Sequence, residues 1–201
     1  MREVICQNIA ESIEAKQRLF QDSQCIDTIE TVANMVVEAY RQGHKILTCG
    51  NGGSACDAQH FVGELVGRYK KERQGIAAIS LCGNVANLTA IGNDYDYDRI
   101  FSNQVIALGQ PGDVLFAIST SGNSKNCVKA VEEAKKRGIL TVGLTGEKGG
   151  ALKDLCDATI AVPSSNTPRI QEMHILTIHS ICHVVEDTLY AEGILKKWED
   201  A

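Results

Sequence analysis

The stretch from Lys45 to Leu65 constrains the fold of this chain more than any other. It opens with a short apolar run, passes through a turn rich in glycine and continues with helical periodicity. That order predicts a β-strand, a glycine loop and a helix, which together form an α/β ligand site. Gly52 and Gly53 let the backbone approach a ligand closely, and Ser54 with the first helical amides offers donors. We therefore expect an anion, in particular a phosphate, to bind at this loop.

Two side chains with acid–base chemistry follow on the predicted helix. His60 and Glu64 are four residues apart, so both project from one face and can converge on one small molecule. Such a pair can equally be an exposed ion pair without function. Its place within two turns of the predicted anion site favours the functional interpretation.

Strands and helices alternate through the middle of the chain. Apolar runs typical of strands are separated by segments with helical spacing. The alternation predicts an α/β fold with a five-stranded parallel sheet flanked by helices, and ligand groups on the loops at the carboxyl ends of the strands. The predicted strands begin at Ile46 and lie at 76–81, 114–118, 140–144 and 158–162.

Both ends of the chain are predicted to be helical. Apolar residues recur at spacings of three and four over 3–20 and 26–41, and Gly43 is expected to end the second helix. A long C-terminal helix is predicted from Thr167 onward. We expect one domain, 1–201, divided into N-terminal helices in 1–43, an α/β core in 44–163 and a C-terminal helix in 167–195.

Three further elements are predicted from local signals. The helix after the glycine loop is expected from about Ala55 to Arg68. A second helix is expected to begin at Val85 and to be closed by Gly92, and Asn93–Asp98 is expected to form a polar turn.

Composition excludes several classes of protein. A formal net charge of −5 gives no basic field for nucleic acid, and no apolar run approaches the roughly 20 residues of a membrane span. The first residues lack a basic region followed by an apolar signal core, so we expect a cytoplasmic protein. The eight cysteines show no Cys-x-x-Cys spacing, which favours free buried thiols over disulfides or a zinc knuckle.

A second loop carries a cluster of hydroxyl groups. Four of them lie between the apolar strand at 114–118 and a helical segment: Ser119, Thr120, Ser121 and Ser124. One such hydroxyl is enough to cap a helix, so four favour a cradle for phosphate oxygens. The two loops together predict a phosphate-bearing substrate.

Nucleotide binding is the main alternative for the glycine loop. Residues 50–55 formally match the dinucleotide pattern G-x-G-x-x-G/A. The second predicted strand ends without the acidic residue that would bind a ribose, and the loop lacks the Gly-Lys-Ser/Thr ending of an ATP site. A tight turn without a ligand is the other alternative.

The C-terminal helix embeds polar residues in an apolar sequence. Gln171 and His179 are eight residues apart and share a face, although both can be satisfied core groups. We expect His44, His174 and His183 to be structural. The apolar residues on more than one side of this helix predict burial on several faces or at a subunit contact.

The motifs, taken in order, resemble the sugar isomerase (SIS) family, and within it the bacterial phosphoheptose isomerases. The resemblance covers nearly the whole chain. It rests on 49–54, the pair His60 and Glu64, 67–69, 92–94, 118–124 and the segment from Arg169 to His179.

The resemblance implies an activity and a set of site residues. Members convert D-sedoheptulose 7-phosphate to D-glycero-D-manno-heptose 7-phosphate through an enediol, the first step of ADP-heptose and lipopolysaccharide core heptose biosynthesis. They are cytoplasmic homotetramers with active sites between subunits. The resemblance assigns acid–base catalysis to Glu64 and His179. It also implies Zn²⁺ binding, as in some members, through His60, Glu64, Gln171 and His179. It assigns the substrate to Asn51, Gly52, Gly53, Ser54, Glu64, Asn93, Asp94, Ser119, Thr120, Ser121, Ser124 and Gln171.

Two other functions fit parts of the same pattern. One is a non-catalytic SIS oligomer that binds a replication initiator protein, which 169–177 and 59–61 also resemble. Such a module would not need both Glu64 and His179, so the sequence favours the enzyme. The other is an isomerase for a different phosphosugar.

Overall fold

A computed structural model describes residues 1–200 of the chain. Within these residues, eight α-helices surround five β-strands. The helices are α1 Arg2–Gln21, α2 Ser23–Arg41, α3 Gly53–Val66, α4 Val85–Asp94, α5 Ser102–Leu108, α6 Lys125–Lys136, α7 Gly150–Leu155 and α8 Thr167–Ala191. The strands are β1 Ile46–Gly50, β2 Ala78–Ser80, β3 Val114–Ile118, β4 Leu140–Gly146 and β5 Ala158–Val162. Short 3₁₀ helices cover Tyr97–Arg99 and Trp198–Asp200.

All five strands are parallel, in the order β2-β1-β3-β4-β5. The chain moves from β1 towards one edge of the sheet and from β3 towards the other. The order therefore reverses between β1 and β3, where Gly50 pairs with Ile118. The glycine loop follows Gly50, and the second predicted phosphate loop, residues 119–124, follows Ile118; we call it the serine loop. The two loops therefore start side by side at the position where such sheets bind ligands.

The helices divide into two groups that cover the sheet. Helix α3 packs on β1 and β2, and α8 packs on α2, α3, β4 and β5. Helix α6 packs on β3 and β4 and contacts α5 and α7. Right-handed crossovers explain the division, since β1 to β2 and β3 to β4 run in opposite directions across the sheet. The site helices α3 and α8 thus belong to one layer.

The core confirms the predicted fold class. Every residue of β1 and β3 is buried, as expected for central strands of a parallel sheet covered on both faces. The N-terminal helical pair and the long C-terminal helix are present. No helix in residues 1–200 is both long and apolar enough to cross a membrane.

Several predicted boundaries need correction. Gly92 does not close α4, which continues to Asp94, so Asn93 and Asp94 lie in the last helical turn. A glycine within a helix costs free energy but does not by itself end the helix. Helix α3 begins at Gly53 and ends at Val66, and β2 spans only Ala78–Ser80. Helix α7 was not predicted.

The ends of α2 and α8 share one capping geometry. Gly43 has φ +80°, its N–H donates to the Tyr40 carbonyl, and the next N–H donates to the carbonyl of Ala39. These two hydrogen bonds satisfy carbonyls of the last helical turn and confirm Gly43 as the residue that ends α2. Gly193, with φ +71°, ends α8 in the same way, so that helix stops at Ala191 and not at residue 195.

Candidate active site

Helices α3 and α8 bring three polar side chains together. His60 Nε2 lies 2.9 Å from Glu64 Oε1, as the spacing on one helical face predicted. His179 Nε2, from α8, lies 3.0 Å from His60 Nε2 and 3.9 Å from Glu64 Oε1. The two residues predicted to act as the acid–base pair, Glu64 and His179, therefore face one common point.

The three atoms that meet there, two imidazole nitrogens and one carboxylate oxygen, offer few hydrogen-bond donors. A neutral imidazole carries its proton on one ring nitrogen only, and an ionised carboxylate carries none. One proton on His60 Nε2 could serve both Glu64 and His179 only as a shared hydrogen bond. A cation would interact with all three atoms at once, since they lie within 4.8 Å of one another. Two imidazole nitrogens and a carboxylate oxygen are ligand types that Zn²⁺ accepts, so these residues fit a metal ion.

Gln171, the fourth predicted metal ligand, lies against the start of α3. A methyl group added to Gly53 would be 2.5 Å from Gln171 Nε2, so the close contact depends on glycine at that position. The preceding Gly52 has φ +56°, in the left-handed region that favours glycine. About 12 Å of helix axis separates Gln171 from His179. The structure thus places Gln171 beside the glycine loop.

Aromatic packing holds His179 from the side. The Tyr69 ring stacks on the His179 imidazole, with centroids 5.7 Å apart and an interplanar angle of 29°. His183, one turn further along α8, lies 5.9 Å from the same tyrosine ring and 3.4 Å from an oxygen of Asp187. His183 was predicted to be structural and lies at the edge of the cluster.

The glycine loop is tied to the start of α6 through Asn51. The amides of Asn51 and Asn126 bond each other reciprocally, with both N···O distances 2.9 Å. The Tyr97 hydroxyl donates to Asn51 Oδ1 at 3.0 Å. The resemblance assigns Asn51 to the substrate, and its side chain here joins the glycine loop to α6. Ser54, another residue that the resemblance assigns to the substrate, is buried at the start of α3.

The serine loop forms a compact hydroxyl cluster. Ser119 Oγ lies 2.9 Å from Ser124 Oγ and 3.4 Å from Ser121 Oγ. A methyl group on Gly122 would overlap the Gly149 carbonyl at 1.8 Å, so this loop packs directly on the loop after β4. The cluster precedes α6, whose first amides point towards the loop. These donors match those expected around a phosphate.

A cavity of about 280 Å³ opens beside this cluster. Its lining comes from the serine loop, the loops after β4 and β5, and the start of α8. The polar residues are Thr120, Ser121, Asn123, Glu147, Lys148, Ser164, Ser165 and Thr167, so one carboxylate faces the cavity together with the donors. The cavity is large enough for a phosphate group and part of a sugar chain.

Asn93 and Asp94 are the predicted site residues with the weakest link to this arrangement. Both are exposed at the end of α4, and Asn93 Nδ2 donates to Asp94 Oδ1 at 2.9 Å. Their segment reaches the glycine loop through Tyr97, which bonds Asn51.

Two titratable groups near or below the site are perturbed by burial. Burial raises the pKa of Asp57, three residues before His60, to about 6, and the His60 charge opposes this shift. Burial lowers the pKa of His174 to about 4, although Nε2 donates to the Thr145 carbonyl. A neutral, fully buried His174 is structural, as predicted.

The sequence did not single out several residues that shape the site. Asn126 and Tyr97 each bond Asn51, and Asp57 interacts with His60 through its charge. Asp57 was detectable in principle, because it lies one turn before His60 on the same helix. The contact of Asn126 with Asn51 joins positions 75 residues apart, and no local pattern marks it.

Comparison with known proteins shows the fold and the family of this chain. The family model for the SIS domain matches residues 8–146. A phosphoheptose isomerase from Clostridium acetobutylicum is 46% identical over 194 residues, covering 96% of this chain and 99% of that protein. Phosphoheptose isomerase 2 from Campylobacter jejuni is 50% identical over 186 residues, covering 92% of both proteins. The solved phosphoheptose isomerase from Neisseria gonorrhoeae is 42% identical with a TM-score of 0.87, covering 92% of this chain and 98% of that one.

The fold and the paired loops therefore define an SIS-domain protein. Identity at this level over nearly the full length of both proteins narrows the class further. The chain belongs to the phosphoheptose isomerase family.

Proposed function

We propose that this protein is an aldose–ketose isomerase that interconverts D-sedoheptulose 7-phosphate and D-glycero-D-manno-heptose 7-phosphate. The observation that carries the proposal is the convergence of Glu64 and His179, 3.9 Å apart, from α3 and α8. Relatives with 46–50% identity carry the name phosphoheptose isomerase, which supports the sugar phosphate as substrate.

The reaction needs two separate proton transfers. From ketose to aldose, a proton leaves C1 and another is added to C2, while a hydroxyl proton leaves O1 and one is added to O2. In our proposal Glu64 takes the C1 proton and returns it to C2. His179 gives a proton to O2, forming the enediol, and takes the proton from O1. Each positioned acid or base typically contributes about 10²–10⁴ in rate.

In this scheme the serine loop supplies the phosphate site, at the position where the strand order reverses. Hydroxyls of Ser119, Ser121 and Ser124 with nearby amides would bind the phosphate oxygens. Gln171 and the glycine loop would orient the reacting end of the sugar. We extend the same proposal to Asn93 and Asp94 as substrate residues, on the strength of the family pattern.

His60, Glu64 and His179 would hold a Zn²⁺ ion in this proposal, with Gln171 as a further ligand. Bound there, the ion would supply Lewis acidity towards a carbonyl oxygen of the sugar. Glu64 then serves in both sets, and binding a metal reduces its availability as a base.

The proposal includes a homotetramer in the cytoplasm, with the product entering ADP-heptose and lipopolysaccharide core synthesis. Val4, Ile5, Ile9 and Ile13 form an apolar stripe on α1, each more than half exposed in the single chain. An apolar groove of about 500 Å³ also lies between α1, α2 and α8. Both features support coverage by further copies of the chain.

The direct test is incubation of purified protein with sedoheptulose 7-phosphate, followed by ¹H NMR. The aldose product carries a proton on its anomeric carbon and the ketose substrate does not, so product gives a new anomeric signal. Fructose 6-phosphate serves as the competing phosphosugar. We expect kcat/KM to be higher for sedoheptulose 7-phosphate than for fructose 6-phosphate. Binding without turnover would instead support the non-catalytic module, and faster turnover of fructose 6-phosphate would support a different isomerase.

A further inference from the structure

A fully buried ion pair connects the two helices that carry the proposed acid–base pair. Arg73 Nε donates to Glu186 Oε1 at 2.8 Å, and both side chains are essentially inaccessible to solvent. Arg73 lies in the segment after α3, and Glu186 lies on α8. The pair takes no part in the proposed proton transfers.

Glu186 organises the segment that leaves α3. Its two oxygens accept hydrogen bonds from three consecutive backbone N–H groups, those of Tyr69 at 3.1 Å, Lys70 at 2.7 Å and Lys71 at 2.9 Å. Burial alone would raise the pKa of Glu186, but these bonds and the Arg73 guanidinium hold it below its ordinary value. Tyr69 is the residue whose ring stacks on His179, so Glu186 fixes the backbone that presents this ring.

Arg73 organises the end of α3 itself. Its guanidinium donates to the carbonyls of Leu65 at 2.8 Å and Gly67 at 3.0 Å at the C-terminus of the helix. The Leu65 carbonyl also accepts from the backbone N–H of Ile76 at 2.9 Å. It also donates to the backbone carbonyl of Glu64 at 2.9 Å. The proposed base is thus held through its own main chain.

Glu186 also lies close to His179 along α8. Glu186 follows His179 by seven residues, close to two helical turns, so the two side chains project from nearly the same face. Buried ion pairs contribute little net stability, because desolvation offsets their attraction, but they can specify one arrangement of the groups around them. Here the groups are the carbonyl of Glu64 and the helix of His179.

We propose that Arg73 and Glu186 are positioning residues that set the separation of Glu64 and His179. The proposal rests on the isomerase function and adds to it a requirement for register between α3 and α8. Since a displacement of about 1 Å in a reacting group can cost about 10²-fold in rate, loss of this pair should act mainly on kcat.

Asp113 offers a matched control for Glu186. It is a buried carboxylate that accepts two backbone N–H bonds, from Lys45 at 3.0 Å and Gln110 at 2.8 Å, and pairs with Lys45 Nζ at 2.6 Å. It directly precedes β3, at the amino-terminal ends of the strands, whereas the site loops follow the carboxyl ends. Asp113→Asn and Glu186→Gln therefore remove similar buried charges, one far from the site and one beside it.

The experiment compares the two variants with the unmodified protein in sedoheptulose 7-phosphate turnover, thermal unfolding and crystal structure. At temperatures where all are folded, we expect Glu186→Gln to lower kcat by about 10–100-fold with KM changed less than about threefold, and Asp113→Asn to leave both nearly unchanged. The crystal structure of Glu186→Gln should show a changed distance between His179 Nε2 and Glu64 Oε1.

Equal kcat in the two variants, or an unchanged distance in Glu186→Gln, would overturn the positioning role. If Glu186→Gln does not fold, Arg73→Lys takes its place, because lysine keeps the charge but cannot reach all the carbonyls that arginine contacts. An inactive unmodified protein would refute the isomerase function alone, and the crystallographic distance would then decide the positioning role.

Discussion

The Nε2 atoms of His60 and His179 lie 3.0 Å apart, although 119 residues separate the two histidines in the sequence. The contact exists because α3 and α8 pack in one layer on the sheet. It makes a helical pair, His60 and Glu64, into a three-residue cluster with the donor types of a metal site and of an acid–base site. Both chemistries share Glu64 and His179.

The metal proposal predicts that replacing His60 weakens zinc binding. His60→Asn removes one of three converging donor atoms, so zinc affinity should fall by at least about tenfold. The measurement is zinc content by mass spectrometry after dialysis against buffered zinc. His183→Asn, one turn from His179, is the control and should retain zinc. Equal zinc in both variants would show that His60 is not a ligand.

A side chain at position 53 should displace the amide of Gln171. Gly53→Ala places a methyl group 2.5 Å from Gln171 Nε2, and the amide can move aside because it is the far end of a flexible side chain. We therefore expect kcat/KM to fall while the free energy of unfolding changes by less than about 1 kcal/mol. Gly63→Ala, on the same helix with no atom within 4 Å of the added methyl group, should leave kcat/KM nearly unchanged. Turnover of sedoheptulose 7-phosphate by the two variants tests the contact, which is refuted if their kcat/KM values are alike.

The serine loop should act on substrate binding. Ser124→Ala removes one hydroxyl of the cluster with Ser119, and loss of a hydrogen bond to a charged phosphate costs about 1.5–3 kcal/mol, or roughly 10–100-fold in KM. Inorganic phosphate should inhibit the unmodified protein competitively and the variant more weakly. Ser180→Ala on α8, where the hydroxyl donates to the Leu176 carbonyl of its own helix, is the control. An unchanged KM in Ser124→Ala would place the phosphate elsewhere.

His174 predicts a pH dependence of stability. Its folded pKa of about 4 lies below the ordinary 6.5, so the unfolded chain binds the proton first as pH falls. The stability from neutral His174 is therefore complete above pH 6.5 and is lost towards pH 4, with a slope of about 1.4 kcal/mol per pH unit between these values. For His174→Gln, the free energy of unfolding, measured with urea at several pH values, should depend less steeply on pH between pH 4 and 6.5. The same slope in both proteins would contradict the assignment.

Local patterns predicted the parts of the structure that depend on local forces. Alternating apolar runs and helical spacings gave the five parallel strands, and Gly43 ended α2 because a left-handed residue is needed there. Gly92 misled the prediction, since a glycine inside a helix is a cost that packing can offset. Helix α7 is short, and its six residues carry too little periodicity to detect.

The site was predictable where one element supplies the residues. His60 and Glu64 follow from their spacing on α3, and the hydroxyl cluster follows from one loop. Family resemblance joined His179 to them. The contacts that fix these residues, Asn51 with Asn126 and Arg73 with Glu186, link distant parts of the chain through tertiary packing. Buried polar pairing of this kind leaves no periodic signal in the sequence.

The central claim is that Glu64 moves the carbon proton, and the most direct test is the turnover of Glu64→Gln on sedoheptulose 7-phosphate. The variant is nearly isosteric but cannot accept the proton. We predict that kcat falls by about 10²–10⁴-fold, while calorimetry shows that the variant still binds the sugar phosphate. Turnover within about threefold of the unmodified protein would contradict the account.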